Sequence, residues 1–164
     1  MIYKKLIIMG LFKCKFSGYS VAFSPYSGTR LAVATAQYFG VVGNGGIHVL
    51  ETTEPIMSEI FSTMTQDNVF DICWNEGHED QVIIACGDKT IKLYDIKVPQ
   101  PLLSLQGHNG EVFGVHSNYQ SPQFVLSASY DGTLKLWDLT QSACMQDFAE
   151  HFGIVYAGIW HPKE

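Results

Sequence analysis

One stretch of this chain returns at a fixed distance, and that echo restricts the fold more than any other feature. GDKTIKLYD, Gly87–Asp95, comes back as YDGTLKLWD, Tyr130–Asp138, with Asp88 matching Asp131 and Tyr94 matching Trp137 at 43 positions. The same offset carries Val69 and Phe70 onto Val112 and Phe113, then onto Val155 and Tyr156, and His108 onto His151. Self-similarity at such a period means that one supersecondary unit is copied and that neighbouring copies bury their faces on each other. Clustered Val, Ile, Thr, Phe and Tyr in short runs between Gly and Asp turns make that unit a set of strands. An apolar content of 46% with only 16% charged residues over 164 positions is globular. The fold class is therefore all-β.

Repeats of about 40–45 residues that end in Trp-Asp and begin near Gly-His resemble WD repeats, the blades of a β-propeller, each a four-stranded sheet. The expected architecture is a partial WD-repeat β-propeller of about three blades plus the first strand of a fourth. A divergent lead-in over 1–17 precedes blades at about 18–60, 61–106 and 107–149, and the next opens over 150–164. SVAFSP, RLAVATAQ and GGIHVLE supply strands of the first blade. VFDICWN, QVIIACGD, TIKLYD and the outer PLLSL make the second; EVFGVHS, FVLSASYD, TLKLWD and Cys144–Phe148 the third; HFGIVYAGIWHP opens the fourth.

His108, Ser127, Asp131 and Trp137 match the tetrad of well-formed WD repeats. The resemblance implies that Asp131 caps a tight turn and accepts from the His108 imidazole, which bonds Ser127, which reaches the Trp137 indole. Ser, His and Asp together also suggest a hydrolase triad, but no GxSxG elbow accompanies them and the hydroxyl is spent on the indole. The role is structural. Blade two has Thr65, Ile84, Asp88 and Tyr94 at these positions and must rely on packing. Ser117 stands where blades two and four have Trp74 and Trp160, which removes a bulky anchor from blade three.

A net charge of −6 argues against a phosphate-binding surface, so nucleic acid is not an expected partner. Cys14, Cys73, Cys86 and Cys144 form no CxxC pair, Cys73 and Cys86 fall in apolar strand patterns, and all read as reduced, buried thiols in the cytosol rather than a zinc site or disulfide framework. His48, His78, His116 and His161 are unclustered, and no phosphate loop or paired catalytic carboxylates occur, so neither metal, cofactor nor enzymatic activity is expected. The apolar run Leu6–Phe12 is far short of a membrane span and lacks a clear cleavage site. Pro-Lys-Glu at the C-terminus is no peroxisomal or reticular address.

In a propeller the binding residues sit at the mouth of the central channel. By register, Tyr19, Phe70, Phe113 and Tyr156 share one inner-strand position, Tyr130 precedes the turn Asp131, and Gly87 leaves space in blade two. With Asp67 and Glu111 beside them, these rings suit a basic amphipathic peptide: rings cover its apolar face and carboxylates pair with Arg or Lys. The structural alternative is that the rings merely plug the channel.

Beyond the generic repeat, GYSVAFSPYSGTRLAVATAQYFGVVGNGGIHVLE, Gly18–Glu51, with VFDICWNE at Val69–Glu76 and HNGEVFGV at His108–Val115, is similar to the peroxins that serve as import receptors for the type 2 peroxisomal targeting signal. The resemblance covers about residues 18–164. It implies a cytosolic receptor, cycling to the peroxisome, whose matrix side is left open. Its ligand would be an N-terminal nonapeptide of cargo proteins: Arg/Lys, Leu/Val/Ile, five variable residues, His/Gln, Leu/Ala. The peptide would lie as an amphipathic helix on the top face, with a co-receptor peroxin and the peroxisomal docking complex as further partners and no reaction catalysed. Carried onto this sequence, Asp67 and Glu111 pair with the first basic residue, and Tyr19, Phe70, Phe113 and Tyr156 form the apolar floor.

Complete members resemble rings of about seven blades, against three and a beginning here, and MIYKKLIIMGLFKCKF does not look like the family's lead-in. The competing readings are a scaffold or adaptor of chromatin or ubiquitin-ligase machinery, and a truncated product without independent activity. Two uncovered blade faces are expected to associate, because large contiguous apolar patches drive association. Light scattering of the purified 164 residues is expected to show self-association rather than a cooperatively melting monomer.

Overall fold

The computed structural model describes residues 11–53 and 56–161; the apolar start and the final Pro-Lys-Glu lie outside the described residues, apart from Leu11 and Phe12 of that start. Among the described residues twelve strands form three antiparallel sheets. The first comprises β1 (Ser17–Phe23), β2 (Arg30–Ala36), β3 (Gly45–Thr53) and β4 (Ile56–Thr65). The second comprises β5 (Val69–Trp74), β6 (Gln81–Cys86), β7 (Ile91–Asp95) and β8 (Pro101–Leu105). The third comprises β9 (Val112–Ser117), β10 (Phe124–Ser129), β11 (Leu134–Asp138) and β12 (Ala143–Phe148). Each sheet is a meander in chain order, so each is one blade.

The middle sheet explains why the sequence there is almost uninterruptedly apolar. Successive strand residues face opposite sides, and a sheet covered on both faces needs apolar side chains at every position. On β6, Val82, Ile84 and Cys86 pack with Ala32, Ala34, Ile47 and Val49 of the first sheet. Ile83 and Ala85 pack on the other side with Val112, Val115, Val125 and Trp137 of the third. No strand is evident in the sequence at 56–65, yet β4 runs there as an edge strand. Its alternation is weak because its outer side faces solvent.

Polar bonds rivet the blades near the axis. The Trp74 indole N–H donates to the carbonyl of Ala22 at 2.9 Å, and the Trp160 indole repeats that bond to His116 at 3.1 Å. Ser117, in place of a tryptophan, instead accepts from the backbone N–H of Glu76 at 3.4 Å. Asp71 reaches across to accept from the Val115 N–H at 2.9 Å. The opening strand expected for a fourth blade forms no ladder: residues 151–161 carry no strand assignment among the described residues. They are held to the third blade by the Trp160 bonds and by Val155 N–H to the carbonyl of Ser129. A strand is defined by hydrogen-bonded neighbours, and among the described residues this segment has no second strand of its own to pair with.

Within blade three the Trp137 N–H donates to Ser127 Oγ at 2.8 Å, Ser127 Oγ lies 2.7 Å from His108 Nε2, and His108 Nδ1 lies 2.9 Å from Asp131. Burial holds the His108 imidazole below its ordinary value, with the Asp131 carboxylate opposing, so the ring is neutral. Its Nδ1–H then donates to Asp131 and its Nε2 accepts from the serine hydroxyl. Burial alone would raise Asp131, but hydrogen bonds from the Thr133 hydroxyl, the Asn109 amide and His108 outweigh it and hold the carboxyl well below the carboxylate range. The turn it caps needs a left-handed residue: Gly132 takes φ 83°, and the matching Lys89 of blade two takes φ 69°.

Ser127→Ala strands the indole of Trp137, which is 1% exposed, and the imidazole. The expected loss is about 1–3 kcal/mol by chemical denaturation. Because the folded-state value of His108 is depressed, the unfolded chain binds more protons below the ordinary 6.5. Stability is therefore expected to fall as pH drops below that value, and further as Asp131 protonates. Unfolding midpoints measured across pH 2–8 check this.

Candidate functional site

The innermost strands β1, β5 and β9 lie side by side, which brings their equivalent side chains together at one end of the blades. Tyr19 meets Phe70 edge-on at 5.6 Å between ring centroids, and Phe70 meets Phe113 edge-on at 4.9 Å. Phe113 stacks on Tyr156 at 5.6 Å and meets Tyr130 in an edge-on arrangement at 6.3 Å. Rings at such distances attract through their quadrupoles and through buried area. The row is graded in exposure. Phe70 is 9% exposed in the middle and Tyr156 67% exposed at the end.

A cavity of about 390 Å³ opens over this row, lined by Tyr19, Phe39, Gly40, Phe70, Glu111, Phe113 and Tyr156. Its size suits a few side chains rather than a whole peptide. Tyr130 touches Phe113 but stands outside this lining. Asp67 is also outside it: its carboxylate occupies the room left by Gly87, where a Cβ would come within 2.6 Å of Oδ1. Asp67 accepts from the Asn68 N–H at 2.7 Å.

Blade symmetry explains the offset between the two acids. Gly87 N–H donates to the carbonyl of Asn68, and Tyr130 N–H donates to the carbonyl of Glu111, both at 2.9 Å. These are the same bond one repeat apart. Glu111 therefore occupies the place of Asn68, and Asp67 comes one residue earlier. Burial raises the Glu111 carboxyl, the Asp67 carboxylate raises it further, and Lys89 only partly opposes them. A partly desolvated carboxylate beside a like charge attracts a cation from outside.

Phe39 and Gly40 are the lining residues that repeat reasoning missed. They belong to a tight turn, Gln37–Gly40, between β2 and β3, in which Tyr38 and Phe39 take left-handed φ of 45° and 56°. The 43-residue echo has no counterpart for them, because they sit in an insertion of the divergent first blade. The signal available was YFG followed by a glycine-rich run. Among the described residues no group of three or more His, Cys, Asp or Glu is placed to hold a metal. The four thiols are free; against the expectation of burial Cys144 is exposed, because it lies on the edge strand β12, whereas burial pushes Cys86 up to about 12, which makes it unreactive. No helix of the described residues is long and apolar enough to cross a membrane.

Comparison with known sequences matches residues 58–95 and 99–138 to the model of the WD domain, G-beta repeat. Among curated relatives, the peroxisome biogenesis protein 7 of Arabidopsis thaliana is 46% identical over 140 residues, covering 82% of this chain and 44% of that protein. The peroxisomal targeting signal 2 receptor of Saccharomyces cerevisiae is 44% identical over 124 residues, 74% of this chain and 33% of that protein. The receptor of the same name in Homo sapiens is 38% identical over 147 residues, 88% of this chain and 46% of that protein. The chain thus spans less than half the length of these relatives.

Titration of Glu111 by NMR is expected to place its midpoint above the ordinary 4.5. Asp67→Asn should lower that midpoint and Lys89→Met should raise it. Since the folded state holds this proton more tightly than the unfolded one, the contribution of Glu111 to stability falls as pH rises through that window. A midpoint at or below 4.5 contradicts the electrostatics described for the cavity.

Proposed function

The chain belongs to the family of peroxisomal targeting signal 2 receptors, and from that membership we propose that it binds the N-terminal type 2 signal of cargo proteins for import into the peroxisome matrix. One observation carries the reading at the level of residues. Four rings from consecutive repeats form a single row, and Glu111 enters the same cavity with Asp67 adjacent.

An amphipathic helix presents apolar side chains on one face and charges beside them. Laid across the mouth, its apolar face covers Tyr19, Phe70, Phe113 and Tyr156, with Tyr130 at the rim. Its first Arg or Lys reaches Glu111 and Asp67. The cation relieves the repulsion between the two acids, so the pair contributes more to binding a basic guest than an isolated surface carboxylate would. Binding is non-covalent and no bond is made or broken. The receptor would load cargo in the cytosol and cycle to the peroxisome, where a co-receptor peroxin and the docking complex take part. The named relatives give a scaffold of chromatin or ubiquitin-ligase machinery no support.

Fluorescence anisotropy with a labelled nonapeptide, Arg-Leu-(Ala)5-His-Leu, tests the reading. Binding is expected to weaken by at least about tenfold when the Arg becomes Glu, and comparably for Glu111→Gln. It should also decline as pH falls through the raised Glu111 titration, and as salt screens the pair. Equal affinity for the Arg and Glu peptides would refute the proposal.

A further inference from the structure

We propose that the lead-in is a strap built into the chain: it lies across the outer face of the first sheet, in the seat that a preceding blade takes on the other two, and keeps a second sheet off that face. The cross-strand pair Leu31 with Leu50 in blade one corresponds to Val82 with Tyr94 in blade two and to Val125 with Trp137 in blade three. Val82 and Tyr94 are buried against the first sheet, and Val125 and Trp137 against the second. No blade precedes the first sheet among the described residues, yet Leu31 is 5% exposed and Leu50 2%. Ala32 and Val49 belong to the core shared with the second sheet, and successive residues alternate sides, so both leucines face away from that core. Something other than a blade covers them.

The cover is narrower than a sheet. In blade two the preceding sheet also closes over the innermost strand, where Ile72 and Trp74 are 2% and 3% exposed. Their counterparts on β1, Val21 and Phe23, are 61% and 60% exposed. A single segment over β2 and β3 leaves β1 bare in this way, whereas a docked sheet would not. The lead-in is at that place. The Phe12 ring lies 5.8 Å from the ring of His48, which is on the same side of β3 as Leu50. His48 Nδ1 is 2.6 Å from Glu59 Oε1 on β4. Burial, and with it that carboxylate, holds the Cys14 thiol above its ordinary value. Phe12, Cys14 and Phe16 are half-buried while Leu11, Lys13 and Lys15 are exposed, the alternation of an extended segment with one side on a surface. β1 opens at Ser17 and lies two strand spacings from β3, about 10 Å. The stretch from Phe12 to Ser17 reaches at most about 17 Å, so the lead-in crosses the strands, and residues 11–16 carry no strand assignment. The residues before it, Leu6, Ile7, Ile8 and Met9, are apolar, as a cover for two leucines has to be.

Photo-crosslinking in the full chain tests the strap. Benzoylphenylalanine replaces Phe12 in chains grown on light and on heavy nitrogen, which are mixed, equilibrated, irradiated and digested. Cross-links are expected from position 12 into Gly45–Thr53, joining light to light and heavy to heavy only. Mixed pairs would mean that a second copy supplies the cover, and no link to β3 would mean that the lead-in lies elsewhere; either result overturns the strap. A second measurement uses the Ile7→Asp, Phe12→Asp double variant and the relaxation of leucine and valine methyl groups by a dissolved paramagnetic agent. The Leu31 and Leu50 methyls are expected to relax severalfold faster than in the parent. Val125, buried between the second and third sheets, should not change and so reports an intact fold. The variant should also self-associate more strongly in light scattering, because its first sheet is uncovered. Leucines that stay protected along with Val125, or leucines that are exposed without stronger association, would likewise overturn the strap. The cross-link decides by itself if the variant does not fold.

Discussion

Face-to-face packing of the sheets is the constraint from which everything else follows. β6 offers Val82, Ile84 and Cys86 to one neighbour and Ile83 and Ala85 to the other, so the middle blade has no free face. Stacking fixes the innermost strands side by side, and equivalent residues must then meet around the axis. The row from Tyr19 to Tyr156 is a consequence of this packing. A slip of one residue in any inner strand would turn its ring to the other face and break the row.

The blades reach stability by different means. Blade three ties Trp137, Ser127, His108 and Asp131 in one chain of hydrogen bonds. Blade two replaces those positions with Ile84 and Tyr94, which join the apolar core between the first two sheets. It holds its turn with Asp88, whose carboxylate accepts from Thr90 and pairs with Lys92. Variation inside each blade is tolerated because blade-to-blade burial, not the tetrad, supplies most of the apolar contact.

The mouth, by contrast, is left electrostatically unsatisfied. Glu111 is raised by burial and by Asp67, and Lys89 compensates only partly. Beside it, Tyr38 and Phe39 hold a strained conformation that buries neither ring. Unrelieved charge and unrelieved backbone strain lie within one cavity wall, while the blade cores are well packed. The raised carboxyl and the exposed left-handed turn thus lie on the rim, and the apolar burial that holds the sheets together lies in the blades.

The repeat period, with the strand-like residue runs inside it, determined the strands of the second and third sheets and the shared position of the four rings, because copies of one unit must repeat its contacts; the tetrad was legible only through the likeness to WD repeats. Local pattern did not disclose β4, whose outer side is wet, nor the ladderless state of 151–161, which depends on having a partner strand. Only the tertiary structure decided that Asp67 fills the gap at Gly87, that Tyr130 stands outside the cavity, and that Phe39 and Gly40 line it. These are meetings of residues far apart in the chain, or in an insertion with no counterpart in the other repeats. Periodicity says nothing about residues that occur once; their place is set by what they pack against.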